Sequence, residues 1–191
     1  MGTKAQLLDA QLTTAAAADA SSVPRRPEAP KTLVLGMGNP ILCDDAVGLR
    51  LAAEFRARST ACPGLVTILE CTVGGLNLLD VVAGFDRLIV LDSIKTVGGA
   101  PGNWYHFRGS SLQETMNLSN VHDANFATTL ELGRRMGMKL PTDDDIHVFA
   151  VEVSDNLSFA ESLTPELEEA LPQLVPEILA EVCDLIAAPT E

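Results

Sequence analysis

The sequence predicts an α/β fold: a three-layer sandwich with a twisted, mostly parallel sheet flanked by helices. Three observations predict it. Short, almost continuous apolar runs alternate with longer segments of helical spacing, the runs lack a polar face and so are covered on both sides, and glycine-containing turns separate the two kinds of segment. The chain has 191 residues, 47% of them hydrophobic, with 26 acids against 13 Lys and Arg. That suits one domain with one core, and it excludes a disordered polyanion and a basic nucleic-acid binder.

Residues 1–30 are rich in Ala, Ser, Thr and Pro without a sustained hydrophobic period, so they are expected to form a flexible N-terminal extension. Residues 31–188 are expected to form a single α/β domain. Within it, residues 32–36, 65–70, 87–92 and 146–153 read as strands, and 45–58, 75–82 and 122–136 as helices. Residues 104–108, introduced by Gly-Gly-Ala-Pro-Gly-Asn, read as an extra strand, antiparallel at an edge. Thr164-Pro165-Glu166 has the order of an N-cap, a first-turn proline and an early acid, which starts a last helix over 164–187. Pro172 and Pro176 interrupt that segment and predict a kinked helix or two short ones.

Charge is unevenly spread, since residues 143–191 hold 13 acids and no Lys or Arg. A solvated acidic helix face is the ordinary explanation, and a docking surface for a basic partner is the other. Cys43, Cys62, Cys71 and Cys183 form no C-x-x-C pair and read as reduced thiols of a cytoplasmic protein. No apolar run reaches the roughly 20 residues a membrane helix needs.

Open α/β sheets gather ligands at the C-terminal ends of their strands. Three features stand there: the loop Gly36-Met37-Gly38-Asn39-Pro40-Ile41-Leu42-Cys43-Asp44-Asp45, Asp92 closing the third apolar run, and His122 opening a helix. The loop is no dinucleotide fingerprint, because G-x-G-x-x-G needs glycine at position 41, which is Ile, and two acids at the helix start oppose a phosphate. Asp44 reads mainly as a cap for the helix it begins, while Asp45 could project toward the sheet end beside Asp92. Taken singly, an Asp closing a strand or a His opening a helix is usually a cap or a solvated residue. Together, two carboxylates and an imidazole suit nickel, zinc or a similar divalent ion with coordination positions left open. The expectation is that Asp45, Asp92 and His122 converge on one cleft.

Gly36-x-Gly38-Asn39, then Asp44-Asp45-x-x-Gly48, Thr72-Val73-Gly74-Gly75, Asp92 and His122-Asp123-Ala124-Asn125-Phe126 together resemble the hydrogenase maturation endopeptidases, from about Lys31 to the last helix. The resemblance implies an aspartic-type endopeptidase that trims the C-terminal extension of a nickel-iron hydrogenase large-subunit precursor after nickel insertion. It implies Asp45, Asp92 and His122 as catalytic, metal-contacting residues, with the nickel brought by the substrate. In that mechanism a carboxylate not bound to metal could serve as general base, Asp44 being one candidate, with the identity of the base left open. Many relatives carry Glu at the position of Asp45, so the shorter side chain needs a closer backbone approach. No Ser-His-Asp arrangement and no H-E-x-x-H helix offers another protease route. The alternative is an assembly chaperone that checks nickel without cutting. Peptidyl-tRNA hydrolase shares the Gly-x-Gly-Asn-Pro start, yet a nearby His-Asn pair and a basic face for tRNA are missing. The expected enzyme is a cytoplasmic monomer.

Overall fold

The computed structural model describes residues 29–58, 66–112 and 121–190, with the side chains of 112 and 121–125 outside that description. The proposed extension over residues 1–30 lies almost wholly outside it. Five strands form one sheet: β1 (Thr32–Met37), β2 (Val66–Cys71), β3 (Arg87–Ile94), β4 (Trp104–Arg108) and β5 (Ile146–Glu152). Their order is β2-β1-β3-β5-β4, parallel except for β4, which runs antiparallel to β5 at one edge. The helices are α1 (Val47–Arg58), α2 (Asn77–Val82), the single turn α3 (Gly109–Leu112), α4 (Val121–Arg135) and α5 (Pro165–Ala187). Among the described residues, no helix is long and apolar enough to cross a membrane.

Every residue of β1, β3 and β5 is buried, as expected of strands covered on both faces. The period of two divides their side chains between two cores. Val34, Ile89, Leu91, Phe149 and Val151 pack with α1 and α5 on one face. Leu33, Leu35, Leu88, Val90 and Val148 pack with α2 and α4 on the other. Those two packed faces make the sandwich three layers deep.

Local expectations are corrected at four places. β3 runs two residues past Asp92, because the polar pair Asp92-Ser93 still keeps register with Ala150 and Val151 of β5. The segment from Cys43 to Ala46 is a 3₁₀ turn, and the α-helix begins only at Val47. The last helix is one continuous element with both prolines inside. Pro172 and Pro176 are exposed, so the carbonyls they leave unbonded face water, while Leu167, Leu174, Val175, Ile178, Leu179, Val182 and Ile186 hold the other face to the sheet. Finally, Cys43 and Cys71 are free thiols but Cys183 is disulfide-bonded, against the expectation of four reduced cysteines.

The far end of α5 has no basic residue in its last turn. Arg87, buried at the start of β3, supplies the cation: its guanidinium donates to the carbonyls of Leu185, Ala188 (2.9 Å) and Pro189 (2.7 Å) and pairs with Asp145 at 3.1 Å. Unsatisfied helix carbonyls and the negative end of the helix dipole are met together.

His147 of β5 is buried, with Nδ1 3.0 Å from Nε2 of His106 on β4, whose ring stacks on Phe149. Burial first, then His106 and the guanidiniums of Arg87 and Arg108, push His147 down to about 4, against the opposing pull of Asp145. His106 is lowered as well, chiefly by burial. In the unfolded chain a histidine titrates near about 6.5. Above that pH neither state holds the proton. As pH falls from 6.5 toward 4 the unfolded chain takes up a proton that the folded His147 refuses, so stability drops across this window, by on the order of 2 kcal/mol. Urea denaturation at pH 7 and pH 5 should show the loss, and His147→Gln should flatten it.

Candidate functional site

The strand order reverses between β1 and β3. β1 is followed by β2 on one side, while β3 pairs along its other side. Such a switch point opens a crevice at the C-terminal strand ends. Asp45 comes from the loop after β1 and Asp92 from β3, and both line one cavity of about 70 Å³ there, with Asn39, Leu42, Cys71 and Thr72 in its walls. Asp45 is 5% exposed and Asp92 6%.

The glycines explain how two helix-loop segments reach this edge so closely. A Cβ on Gly48 would lie 2.3 Å from the carbonyl oxygens of both Met37 and Leu91, so the start of α1 sits directly on β1 and β3. Gly38 has φ +138, and a Cβ there would lie 1.9 Å from the Asp45 carbonyl oxygen. Only glycine permits the loop to fold back this tightly.

Asp45 is held at both oxygens. Oδ2 accepts the Asn39 backbone N–H at 2.8 Å and Oδ1 accepts the Ser93 hydroxyl at 2.8 Å. The Ser93 backbone N–H donates in turn to Asp92 Oδ1 at 2.7 Å. Ser93 therefore links the two carboxylates from the opposite face of the strand. This residue was not singled out from the sequence, and its one signal there is its place directly after Asp92. A carboxylate oxygen has two lone pairs, so these hydrogen bonds orient the acids without by themselves using up the capacity of either group to bind a cation.

His122 lies in the first turn of α4 by its backbone, with its side chain outside the described residues. The segment that follows the C-terminal end of α4 reaches the edge where β3 begins, where the Lys139 side chain donates to Asp86 and the Lys139 carbonyl accepts the Gly84 N–H. The first turn, carrying His122, is thus the end of α4 farther from that edge. Asp92 shares the pleat direction of Leu88 and Val90, toward the α2 and α4 layer. Among the described residues no group of three or more His, Cys, Asp or Glu forms a metal cage.

Asp44 has a different role from both expectations. It does not cap its own helix, which has no side-chain cap bond. It is fully buried, and its carboxylate accepts the backbone N–H of Ser154 (3.2 Å), Asp155 (3.1 Å) and Thr164 (2.7 Å) together with the hydroxyls of Ser154 (3.3 Å) and Thr164 (3.0 Å). Five donors fasten it to the loop between β5 and α5. A group so enclosed takes no proton from a water in the cavity, which removes it as the general base.

Two further features bound the site. Glu152, buried at the end of β5, accepts from the Thr96 N–H (2.6 Å) and hydroxyl (2.8 Å) and so anchors the β3–β4 loop. A larger cavity of about 450 Å³ lies between β4 and α5, beside Trp104 and Glu177. It contains none of the three predicted site residues, and the smaller cavity that holds both carboxylates is the candidate site.

Comparison with known proteins places the chain in a family. A family model described as hydrogenase maturation protease matches residues 30–181. The hydrogenase 2 maturation protease of Escherichia coli is 29% identical over 146 residues, covering 76% of this chain and 88% of that protein. A hydrogenase expression/formation protein, HupD, of Rhizobium leguminosarum is 41% identical over 113 residues, covering 58% and 55%. Among solved structures, the hydrogenase maturating endopeptidase HybD from E. coli superposes with a TM-score of 0.65 at 27% identity, covering 81% of this chain and 93% of that one. With the match spanning the whole sheet, the switch-point cavity and most of α5, this chain belongs to the hydrogenase maturation protease family and is a peptidase of that family.

Proposed function

We propose that the protein is an endopeptidase that removes a C-terminal extension from a nickel-iron hydrogenase large-subunit precursor after nickel insertion. The observation that carries this reading is the pair of buried carboxylates, Asp45 and Asp92, on one small cavity at the switch point of a chain in this family. The nickel arrives as part of the substrate. Asp45, Asp92 and, from the first turn of α4, His122 would complete its coordination, a carboxylate and imidazole set suited to a divalent ion. Held there, a divalent ion would supply polarisation of the scissile carbonyl and activation of a water.

The chain's own residues contribute orientation. Ser93 and the Asn39 N–H fix the Asp45 carboxylate, and Ser93 also fixes Asp92, so neither acid must reorganise when substrate arrives. The cavity has room for the reacting atoms of an extended peptide and not for a folded body. The precursor must therefore offer its extension as a protruding segment. The reading has the enzyme working as a cytoplasmic monomer.

The test is the intact mass of the precursor. Purified protein should shorten the nickel-loaded precursor and leave the nickel-free one unchanged. His122→Ala should slow cleavage at least tenfold with an unaltered melting curve. Tight binding of the loaded precursor without any change in its mass would replace the protease by a nickel-checking chaperone.

A further inference from the structure

The described residues include exposed large apolar side chains on the loops that leave the C-terminal ends of the parallel strands: Ile41, Val73, Leu76, Val97, Leu157 and Phe159. Leu157 and Phe159 are 77% and 83% exposed and stand two residues apart on the β5–α5 loop. That loop is firmly built. Asp44 binds it at Ser154, Asp155 and Thr164, and Asp155 Oδ1 accepts the N–H groups of Leu157 (3.1 Å) and Ser158 (2.9 Å). Ala160 accepts from the Cys43 N–H (2.9 Å) and donates to the Ile41 carbonyl (3.1 Å). Polar groups thus hold the loop in shape, with Val153 and Leu163 buried in the core at its two ends, while Leu157 and Phe159 between them stand mostly in solvent.

Their position is informative. Ala160 bridges to Leu42, which lines the Asp45–Asp92 cavity, and Ile41, 47% exposed, is the neighbour of Leu42. The apolar surface therefore borders the mouth of the cavity. Its charge is one-sided: residues 154–163 contain Asp155 and Glu161 and no Lys or Arg. Lys95, the cation beside the loop, is turned onto the Ser154 carbonyl at 2.6 Å.

We propose that Leu157, Phe159 and Ile41 form the surface on which the protein substrate docks, receiving an apolar segment with a basic side chain beside it. This deepens the processing reading and rests on it. Apolar contact supplies the holding interaction, since exposed patches of this kind mark protein-binding surfaces. Glu161 and Asp155 select a positive flank, and the adjoining cavity receives the bond to be cut.

The experiment compares steady-state processing of nickel-loaded precursor by wild type, by the double variant Leu157→Ser/Phe159→Ser and by Glu161→Lys. The double variant should raise KM at least tenfold with kcat within twofold and the melting curve unmoved, because neither side chain is packed. Glu161→Lys should raise KM about threefold, less at high salt. If the double variant melts early, Phe159→Ala replaces it, with a threefold rise in KM expected. A wild-type KM in these variants overturns the proposal. So does conversion of a dimer to a monomer by light scattering with KM unchanged, which would make a second copy the occupant. If wild type binds the precursor but cuts nothing, the processing reading fails by itself. Docking is then judged from direct binding, where the double variant should be at least tenfold weaker and equal affinity overturns it.

Discussion

Asp44→Ala is expected to lower folding stability by about 4 kcal/mol, as the loss of a buried hydrogen-bonded anion predicts. For a chain of this size that corresponds to a fall in melting midpoint of roughly 8–16 °C. Alanine leaves three backbone N–H groups, those of Ser154, Asp155 and Thr164, without their acceptor in a closed interior. The two hydroxyls can rotate to other partners, whereas the amides cannot. Asp44→Asn makes a sharper comparison. Four of the five donors from that loop point at Oδ2, so an asparagine oxygen placed there keeps them, while at Oδ1 the Thr164 N–H, beside the Cys43 thiol 3.9 Å from that oxygen, meets an amide NH₂. Its cost should be about half that of alanine. Urea titration of the three proteins checks the order. A variant with wild-type stability and no activity would instead return Asp44 to the catalytic machinery.

Gly48→Ala is expected to cost at least about 3 kcal/mol and to reduce the yield of soluble protein, although alanine is the better helix former by about 1 kcal/mol. The clash decides the sign, because the new Cβ would lie 2.3 Å from two backbone carbonyl oxygens, those of Met37 and Leu91, and neither strand can retreat. Gly36 makes the matching approach from β1, where an added Cβ would lie 2.4 Å from the Gly48 carbonyl oxygen. Lifting α1 off the sheet also carries Asp45 away from Asp92, so activity should fall further than stability. Thermal melting beside the precursor assay gives both readings. A melting curve equal to wild type would show that α1 does not need this contact.

How much of this was legible beforehand follows from what fixed each feature. The central strands could be read because two-sided burial leaves no polar residue inside β1 or β5 to interrupt the run, except His147, which meets its partner across the sheet. The sequence alone ends β3 too early because Asp92-Ser93 has the look of a strand end. Its register is set by β5, more than fifty residues later. The pairing of Asp45 with Asp92 follows from strand-end logic once β1 and β3 are neighbours. The roles of Asp44 and Ser93 were hidden, since their partners are 110 to 120 and 48 residues away and no local pattern announces them. The continuity of α5 was hidden for another reason. A proline's cost depends on which face its vacant carbonyl meets, and that face is known only when the helix is docked.

Arg87 gathers the carbonyls of Leu185, Ala188 and Pro189 at the start of β3, the sheet edge opposite the Asp45–Asp92 cavity. The chain therefore leaves the body from the side turned away from its cleft. A reporter or surface anchor joined beyond Pro189 would leave the cleft facing outward, and the enzyme could be immobilised by that end while its cleft still admits a large protein substrate.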